Sequence, residues 1–190
     1  MHLDREEKKL IQACLAKKRK AQFALYERYK SRMYAVCLRY AKNAAQAQDF
    51  LQEGFLKVFQ ALHQYRFEVP VEYWMKRIMV NACISELRRK KEPLNSSVSF
   101  DVQHDTYYEE TGETVSTYGL APGELVGIIQ QLPQGYRSIF NLYAIEGYSH
   151  DEISQILEIS PGTSRSQYAR ARKALAQSIG QLNKKNHEQR

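Results

Sequence analysis

The chain has few of the residues that build disulfide frameworks, metal sites or membrane spans. Its three cysteines, Cys14, Cys37 and Cys83, are too few and too widely spaced for a disulfide framework, and no CxxC pair or His–Cys cluster supports a zinc site. No apolar run approaches the ~18 residues of a membrane span, and the charged stretch MHLDREEKKL lacks the apolar core of a signal peptide. We therefore expect buried cysteines, no membrane insertion and a cytoplasmic location.

Little in the sequence supports catalysis either. The five histidines are scattered, no glycine-rich phosphate loop is present, and no nucleophile has an evident base beside it. We therefore expect neither an enzyme nor a cofactor or metal.

The residues that are abundant favour packed helices and an anionic partner. Hydrophobic residues make up 43% of the 190, enough for packed cores. Lys and Arg number 28 against 21 Asp and Glu, a formal charge of +7 that indicates nucleic acid only weakly by itself. The cations are absent from one long segment, because residues 92–136 contain no Lys or Arg.

Hydrophobic spacing predicts an all-α chain with two small helical domains. In the first, three- and four-residue steps predict a single inward face on each helix: Phe23, Tyr26, Tyr29, Met33, Val36, Cys37 and Tyr40 on one, and Trp74, Ile78, Ala82 and Leu87 on another. Between the domains the acidic, Ser- and Thr-rich stretch shows no periodicity and predicts a flexible linker. The predicted boundaries are 1–92 for the N-terminal domain, 93–121 for the linker and 122–190 for the C-terminal domain.

The C-terminal domain contains a helix-turn-helix pattern, SHDEISQILEISPGTSRSQYARARKAL. Ser149 and Glu152 have the spacing of a capping box, and Ser160 followed by Pro161 restarts the chain as a second helix. That helix carries cations and small hydroxyls, which suit major-groove contact with duplex DNA. The residues predicted to bind DNA are Thr163, Ser164, Arg165, Ser166, Gln167, Arg170, Arg172 and Lys173.

Two further helices carry candidate binding residues in the N-terminal domain. The stretch DFLQEGFLKVF places Asp49, Gln52 and Glu53 on adjacent turns, where they suit the basic surface of a protein partner. Its Gly54 is unexpected, because glycine within a helix costs ~1 kcal/mol relative to alanine. The corner HQYRFEVPVEYW combines aromatic residues with nearby Lys and Arg, which suits unstacked single-stranded bases.

At these residues the chain resembles a bacterial RNA polymerase sigma factor of the extracytoplasmic-function (ECF) type. The family's D-x-x-Q-E-x-F pattern corresponds to residues 49–55, and its W-x-x-R-I-x-x-N pattern to residues 74–81. Three further patterns fall in the C-terminal domain: L-P-x-x-x-R-x-x-F at 132–140, E-G-x-S-x-x-E-I at 146–153 and S-x-G-T-x-x-S at 160–166. Each motif alone is weak, but all of them occur in the family's order.

The resemblance implies a role for each candidate surface. The polymerase clamp helices would be bound by Asp49, Gln52, Glu53 and Phe55. The melted minus-ten element would be captured by Tyr65, Arg66, Tyr73, Trp74, Lys76, Arg77, Asn81, Arg88 and Arg89. The C-terminal helix-turn-helix would anchor on the minus-thirty-five element. The implied partners are core RNA polymerase, promoter DNA and an anti-sigma factor, and the free protein is expected to be a monomer.

Other interpretations remain open at this point. A stand-alone helix-turn-helix regulator would bind duplex DNA without polymerase, and a pure interaction protein would bind polymerase without supporting transcription. The linker could thread the polymerase channel and imitate nucleic acid through its carboxylates, or it could be a passive tether.

Overall fold

A computed structural model describes residues 5–89 and 122–188 of the chain. The chain divides into two compact units, Met1–Lys90 and Lys91–Arg190. Both are helical, and no strand occurs in the two described ranges. The all-α prediction is therefore confirmed, whereas the predicted linker, residues 93–121, lies outside the described residues.

In the first unit, the described residues 5–89 form four α-helices packed around one core. They are α1 (Arg5–Leu15), α2 (Arg19–Tyr40), α3 (Ala44–Ala61) and α4 (Val71–Arg89), and a short 3₁₀ turn, Leu62–Gln64, follows α3. Asn43 begins α3 because its side chain accepts the Gln46 N–H at 2.9 Å, while the Gln46 side chain accepts the Lys42 N–H at 2.7 Å. These reciprocal bonds satisfy donors that a helix start otherwise leaves open.

Core packing in this unit follows the predicted helical period with local corrections. Tyr29, Met33 and Tyr40 of α2 are buried as expected, and the three cysteines are buried and unbridged. The prediction that Phe23 faces inward is wrong, because its side chain is 66% exposed. On α4 the inward line runs through Val71, Met75, Met79, Ala82, Cys83 and Leu87, so that Trp74 and Ile78 lie at its margin, half-buried.

The unexpected glycine of α3 lies where this helix meets α4. A Cβ at Gly54 would lie 2.1 Å from the Met79 Sδ, inside any normal contact distance. Gly54 therefore leaves the space that the Met79 side chain of α4 occupies, which accounts for a residue that helix propensity disfavours.

Residues 122–188 of the second unit form four α-helices and one π-helical turn. The helices are α5 (Pro122–Gln131), α6 (Gln134–Phe140), α7 (His150–Leu157) and α8 (Pro161–Glu188), with the π-helix Asn141–Ile145 directly after α6. An apolar cluster in its core joins α5, the start of α6 and the inner face of α8: Ile128, Ile129, Leu132, Tyr136, Ala171, Leu175 and Ile179.

The described part of the chain meets neither the requirements of a membrane-spanning helix nor those of a metal site. Within residues 5–89 and 122–188, no helix combines the length and apolar character that crossing a membrane requires. The same ranges hold no group of three or more His, Cys, Asp or Glu side chains placed to bind a metal ion.

Candidate nucleic-acid and protein interfaces

The helix-turn-helix is built by two capped helices with a tight turn between them. The Ser149 side chain accepts the Glu152 N–H, and the Glu152 carboxylate accepts the Ser149 N–H at 2.8 Å, so the predicted capping box is confirmed. The Glu152 carboxylate accepts hydrogen bonds from the Ser149 N–H and from the Ser149 hydroxyl. These two bonds, the N–H first in size, hold the pKa of Glu152 below its usual value. At the C-terminus of α7, Glu158 adopts the left-handed conformation, with φ 56°, and turns the chain toward α8.

The start of α8 is fixed by the second predicted cap. The Ser160 Oγ accepts the Thr163 N–H at 2.9 Å and lies 2.8 Å from the Thr163 Oγ1. Pro161 occupies the first helical position, where a missing N–H costs nothing. The cap and the proline together define where the helix, and hence its outward face, begins.

One face of α8 presents cations and a hydroxyl to solvent. Arg165, Ser166, Ala169, Arg170 and Lys173 are exposed, and each lies three or four positions from another of them, so they form one stripe on the helix. We call these five residues the α8 stripe. Thr163 and Arg172 are half-buried at its edges, and the Arg172 guanidinium lies 6.0 Å from the centre of the Tyr168 ring.

Two residues predicted for DNA contact face inward instead. Ser164 is fully buried and Gln167 nearly so. The Ser164 Oγ lies 2.9 Å from the His150 Nδ1, a hydrogen bond that joins α8 to α7. Ser164 therefore lies in the contact between α7 and α8, and Gln167 is enclosed, so the assignment of these two side chains to the DNA surface is wrong.

Aromatic ring contacts join α8 to the helices that precede it. The Tyr143 ring stacks on the His150 ring with centroids 4.2 Å apart, and it contacts the Tyr168 ring at 4.5 Å. The spacing of Tyr143 and Tyr168 within their helices gives no signal that they meet. A shallow cavity of about 620 Å³ opens beside this cluster, lined in part by Tyr148 and Arg165.

The aromatic corner of the first unit is organised around a buried tyrosine. Tyr65 is 5% exposed, and its hydroxyl donates to the Val69 carbonyl at 2.5 Å. Its ring packs against Phe67 and Trp74, with centroids 4.7 and 5.3 Å away. Tyr65 was predicted to contact DNA, but its ring is enclosed by neighbours. Tyr65 therefore packs behind the corner and holds its other rings in place. Tyr73 is 65% exposed and is the aromatic side chain of the corner that faces solvent.

The outward face of α4 continues from this corner toward the C-terminus of the helix. Tyr73, Arg77 and Asn81 are exposed on successive turns, and Arg88 is exposed two turns further on; all four share one side of the helix. We call these four residues the α4 stripe. Of the other predicted residues, Arg66 and Arg89 are exposed and Lys76 is half-buried. Arg89 pairs with Glu86 at 2.6 Å.

The predicted protein-binding helix has an exposed stripe that is partly apolar. Asp49, Gln52 and Leu56 are exposed and Glu53 is half-buried, at steps of three and four residues along α3. We call these four residues the α3 stripe. Leu56 is 58% exposed, a large apolar side chain that the sequence motif does not include.

Phe55, in contrast, is a core residue. It is 4% exposed and meets the Tyr26 ring edge-on at 4.7 Å, which joins α3 to α2. The predicted direct contact of Phe55 with a partner is therefore wrong for this structure, because the ring is enclosed. The exposed aromatic side chain of this region is Phe23, one turn before Tyr26 on α2.

Curated relatives span both units of the chain. The RNA polymerase sigma-H factor of Pseudomonas aeruginosa is 27% identical over 184 residues, covering 93% of this chain and 95% of the relative. The ECF RNA polymerase sigma factor SigM of Mycobacterium tuberculosis is 28% identical over 182 residues, covering 95% and 88%. SigW of Bacillus subtilis, also an ECF RNA polymerase sigma factor, is 29% identical over 161 residues, covering 81% and 86%.

Family models match the two units separately and in order. Sigma-70 region 2 matches residues 25–92, which include the α3 stripe, the aromatic corner and the α4 stripe. Sigma-70 region 4 matches residues 123–175, which include the helix-turn-helix and the α8 stripe. The chain therefore belongs to the sigma-70 family of RNA polymerase sigma factors, and within that family to the extracytoplasmic-function type.

Proposed function

We propose that each of the three stripes of this sigma factor binds a different target during transcription initiation. The α3 stripe binds core RNA polymerase, the aromatic corner with the α4 stripe captures the melted minus-ten strand, and the α8 stripe anchors on the duplex minus-thirty-five element. The observation that carries the proposal is the exposure of all three stripes on two separately folded units. Each stripe has the chemistry its target requires.

The chemistry of the α8 stripe suits a duplex. Arginine donates two parallel hydrogen bonds to guanine or to phosphate, and a small residue such as Ala169 between two arginines lets the helix approach the groove closely. The capped N-terminus of α8 fixes which turn of the helix enters the groove first. Loss of one arginine that reads a base costs about 1–3 kcal/mol of binding free energy.

The chemistry of the corner suits single-stranded DNA. A base must leave the duplex stack at a cost of a few kcal/mol, and an aromatic platform returns ~1–3 kcal/mol per stacked base. Tyr73 offers an exposed ring for this purpose, while Trp74 lies half-buried beside it. Arg77 and Arg88 on the same side of α4 are placed to follow the phosphate backbone.

The α3 stripe suits a basic protein surface with an apolar centre. Asp49 and Glu53 supply negative charge, and Leu56 supplies apolar area that water leaves on binding. Phe23 on α2 is a second exposed apolar side chain that could add to this apolar contact area. We therefore add Leu56 and Phe23 to the residues that contact polymerase and remove Phe55 from them.

The segment between the units acts as a tether in this proposal. We retain the boundaries 1–92, 93–121 and 122–190, so that each DNA-binding unit moves with its own element. The protein acts without enzymatic activity of its own, in the cytoplasm where polymerase is found. It is a monomer when free, and an anti-sigma factor restrains it.

Run-off transcription tests the proposal. Core polymerase with this protein should give specific transcripts from a genomic promoter library, and core polymerase alone should not. Specific duplex binding without polymerase, combined with an absence of transcripts, would instead indicate a stand-alone regulator.

Two variants serve as each other's control in this assay. Leu56→Glu should weaken core binding while the second unit still binds duplex minus-thirty-five DNA. Arg165→Ala should leave core binding unchanged and weaken promoter engagement by about 1–3 kcal/mol. Equal losses of core binding in both variants would contradict the division of work.

A further inference from the structure

A buried carboxylate on α1 connects three helices of the first unit. Glu7 is 8% exposed, and its Oε1 accepts the Tyr29 O–H from α2 at 3.2 Å and the Val71 N–H of α4 at 3.3 Å. Glu7 lies outside residues 25–92, the range that sigma-70 region 2 matches, and in none of the sequence motifs. Its position therefore calls for a physical explanation.

The contact with Val71 supplies a cap that the local sequence lacks. Val71 is the first residue of α4, and its N–H is one of the donors that a helix start leaves without a partner inside the helix. Pro70 precedes it and has no side-chain acceptor to offer. A carboxylate at this point accepts the N–H and is also favoured by the helix dipole. Glu7 thus caps α4 from a helix more than sixty residues earlier in the chain.

The same carboxylate lies beside the aromatic corner. Burial first, and then the charge of Glu7, raise the pKa of Tyr65 to about 12. The same two causes lead the rise in the pKa of Tyr29, also to about 12, so both hydroxyls remain protonated donors at neutral pH. Phe67 within the corner has φ 59°, a left-handed conformation that is strained for this residue and persists only where the surroundings hold it.

We propose that Glu7 is a positioning residue for strand capture. By capping α4, it sets the orientation of the Tyr73 and Trp74 side chains at the aromatic corner. Tyr73 and Trp74 form the first turn of this helix, and both of their N–H groups bond to the Pro70 carbonyl. A shift of the helix start therefore moves both rings. This inference rests on the proposed role of the corner in binding the minus-ten strand.

The single tryptophan of the chain, Trp74, reports the corner directly. In the free protein, Glu7→Ala should change the emission maximum of Trp74 and increase its quenching by acrylamide, with helix content retained by circular dichroism. Glu7→Gln keeps an acceptor but loses the charge, so its effect should be smaller. Glu6→Gln, an exposed neighbour on α1, is the matched control and should leave Trp74 unchanged.

The functional readout is the affinity of the reconstituted holoenzyme for single-stranded minus-ten DNA. Glu7→Ala should weaken it about tenfold, the range expected for losing one well-placed stacked base, while core binding stays within twofold. Tyr29→Phe removes the other partner of Glu7 but leaves the cap on Val71. It should lower the stability of the unit without changing strand affinity, which separates positioning from general stabilisation.

Several outcomes would overturn the inference. Trp74 emission and strand affinity that are unchanged in Glu7→Ala would do so, as would equal losses in Tyr29→Phe and Glu7→Ala. If Glu7→Ala does not fold, Glu7→Gln supplies the same comparison. The Trp74 measurements use the free protein, so a failure of run-off transcription would contradict the proposed function while leaving the capping result to be judged separately.

Discussion

Replacing Gly54 by alanine should destabilise the first unit, although helix propensity alone predicts the opposite. Within α3, alanine is favoured over glycine by about 1 kcal/mol because it restricts the unfolded chain. The structure adds an opposing contribution. The new Cβ would lie 2.1 Å from the Met79 Sδ and 3.1 Å from its Cε. The sign of the net effect depends on how easily Met79 can move.

Met79 has little room in which to move. Its side chain is fully buried in the contact between α3 and α4, and interiors of this kind are close-packed. Overpacking a core costs about 1–3 kcal/mol, and a separation of 2.1 Å is far inside the ~3.5–4.0 Å of an ordinary contact, so we use the upper end of that range. After subtraction of the propensity gain, Gly54→Ala should lower the free energy of unfolding by about 2 kcal/mol.

Urea unfolding followed by Trp74 emission measures this change, because Trp74 lies in the same unit. Gly180→Ala is the matched control: Gly180 is exposed within α8, and no described atom lies within 4 Å of a Cβ built there. Followed by circular dichroism, it should stabilise the second unit by up to about 1 kcal/mol. If Gly54→Ala stabilised its unit as Gly180→Ala does, the tight packing of the Met79 side chain against Gly54 would be refuted. Core binding should survive in Gly54→Ala, because the α3 stripe lies on the exposed side of the helix.

Three further predictions concern the helix-turn-helix. Ser149→Ala removes half of the capping box and should lower the stability of the second unit by about 1 kcal/mol in thermal unfolding at pH 7. The pKa of Glu152 is lowered in the folded state, so its stabilisation is complete above the unfolded value of about 4.3 and is lost as the pH falls through the lowered value. Stability measured from pH 6 to pH 3 should therefore fall less steeply in Glu152→Gln than in the wild type. Ser164→Ala removes the hydrogen bond to His150 and should cost about 1 kcal/mol; an unchanged stability in urea would show that this bond contributes nothing.

Those features that follow from local chemistry could be predicted from the sequence. The capping box of α7 and the Ser160–Pro161 start of α8 depend on residues within four positions of each other, and the structure has both. The helical period also identified the buried positions Met33, Val36 and Cys37. In each case the physical cause lies within one or two turns of helix, which a sequence displays directly.

Features that depend on contact between distant segments could not be predicted. The cap on α4 comes from Glu7, and the explanation of Gly54 comes from Met79, each on another helix. Polarity was also misleading: Ser164 was predicted to face DNA because it is a hydroxyl, yet α7 covers it. Leu56 was missed for the converse reason, since an apolar residue in a helix is ordinarily expected to be buried.

The mispredicted site residues have a common position, directly beneath a surface proposed to bind a partner. Along α3, Phe55 lies between Gln52 and Leu56, two exposed residues of the α3 stripe. The Tyr65 ring packs against Trp74. Ser164 directly precedes Arg165 of the α8 stripe. A prediction from residue type and motif collects both kinds of residue, because a sequence does not display which side chains a neighbouring helix covers. Their variants should nevertheless differ in kind. A change at a supporting residue lowers stability and binding together, since the surface above it moves, whereas a change at a stripe residue lowers binding in a protein that is still folded. The three-dimensional structure is therefore needed to divide a motif into residues that touch a partner and residues that hold them in place.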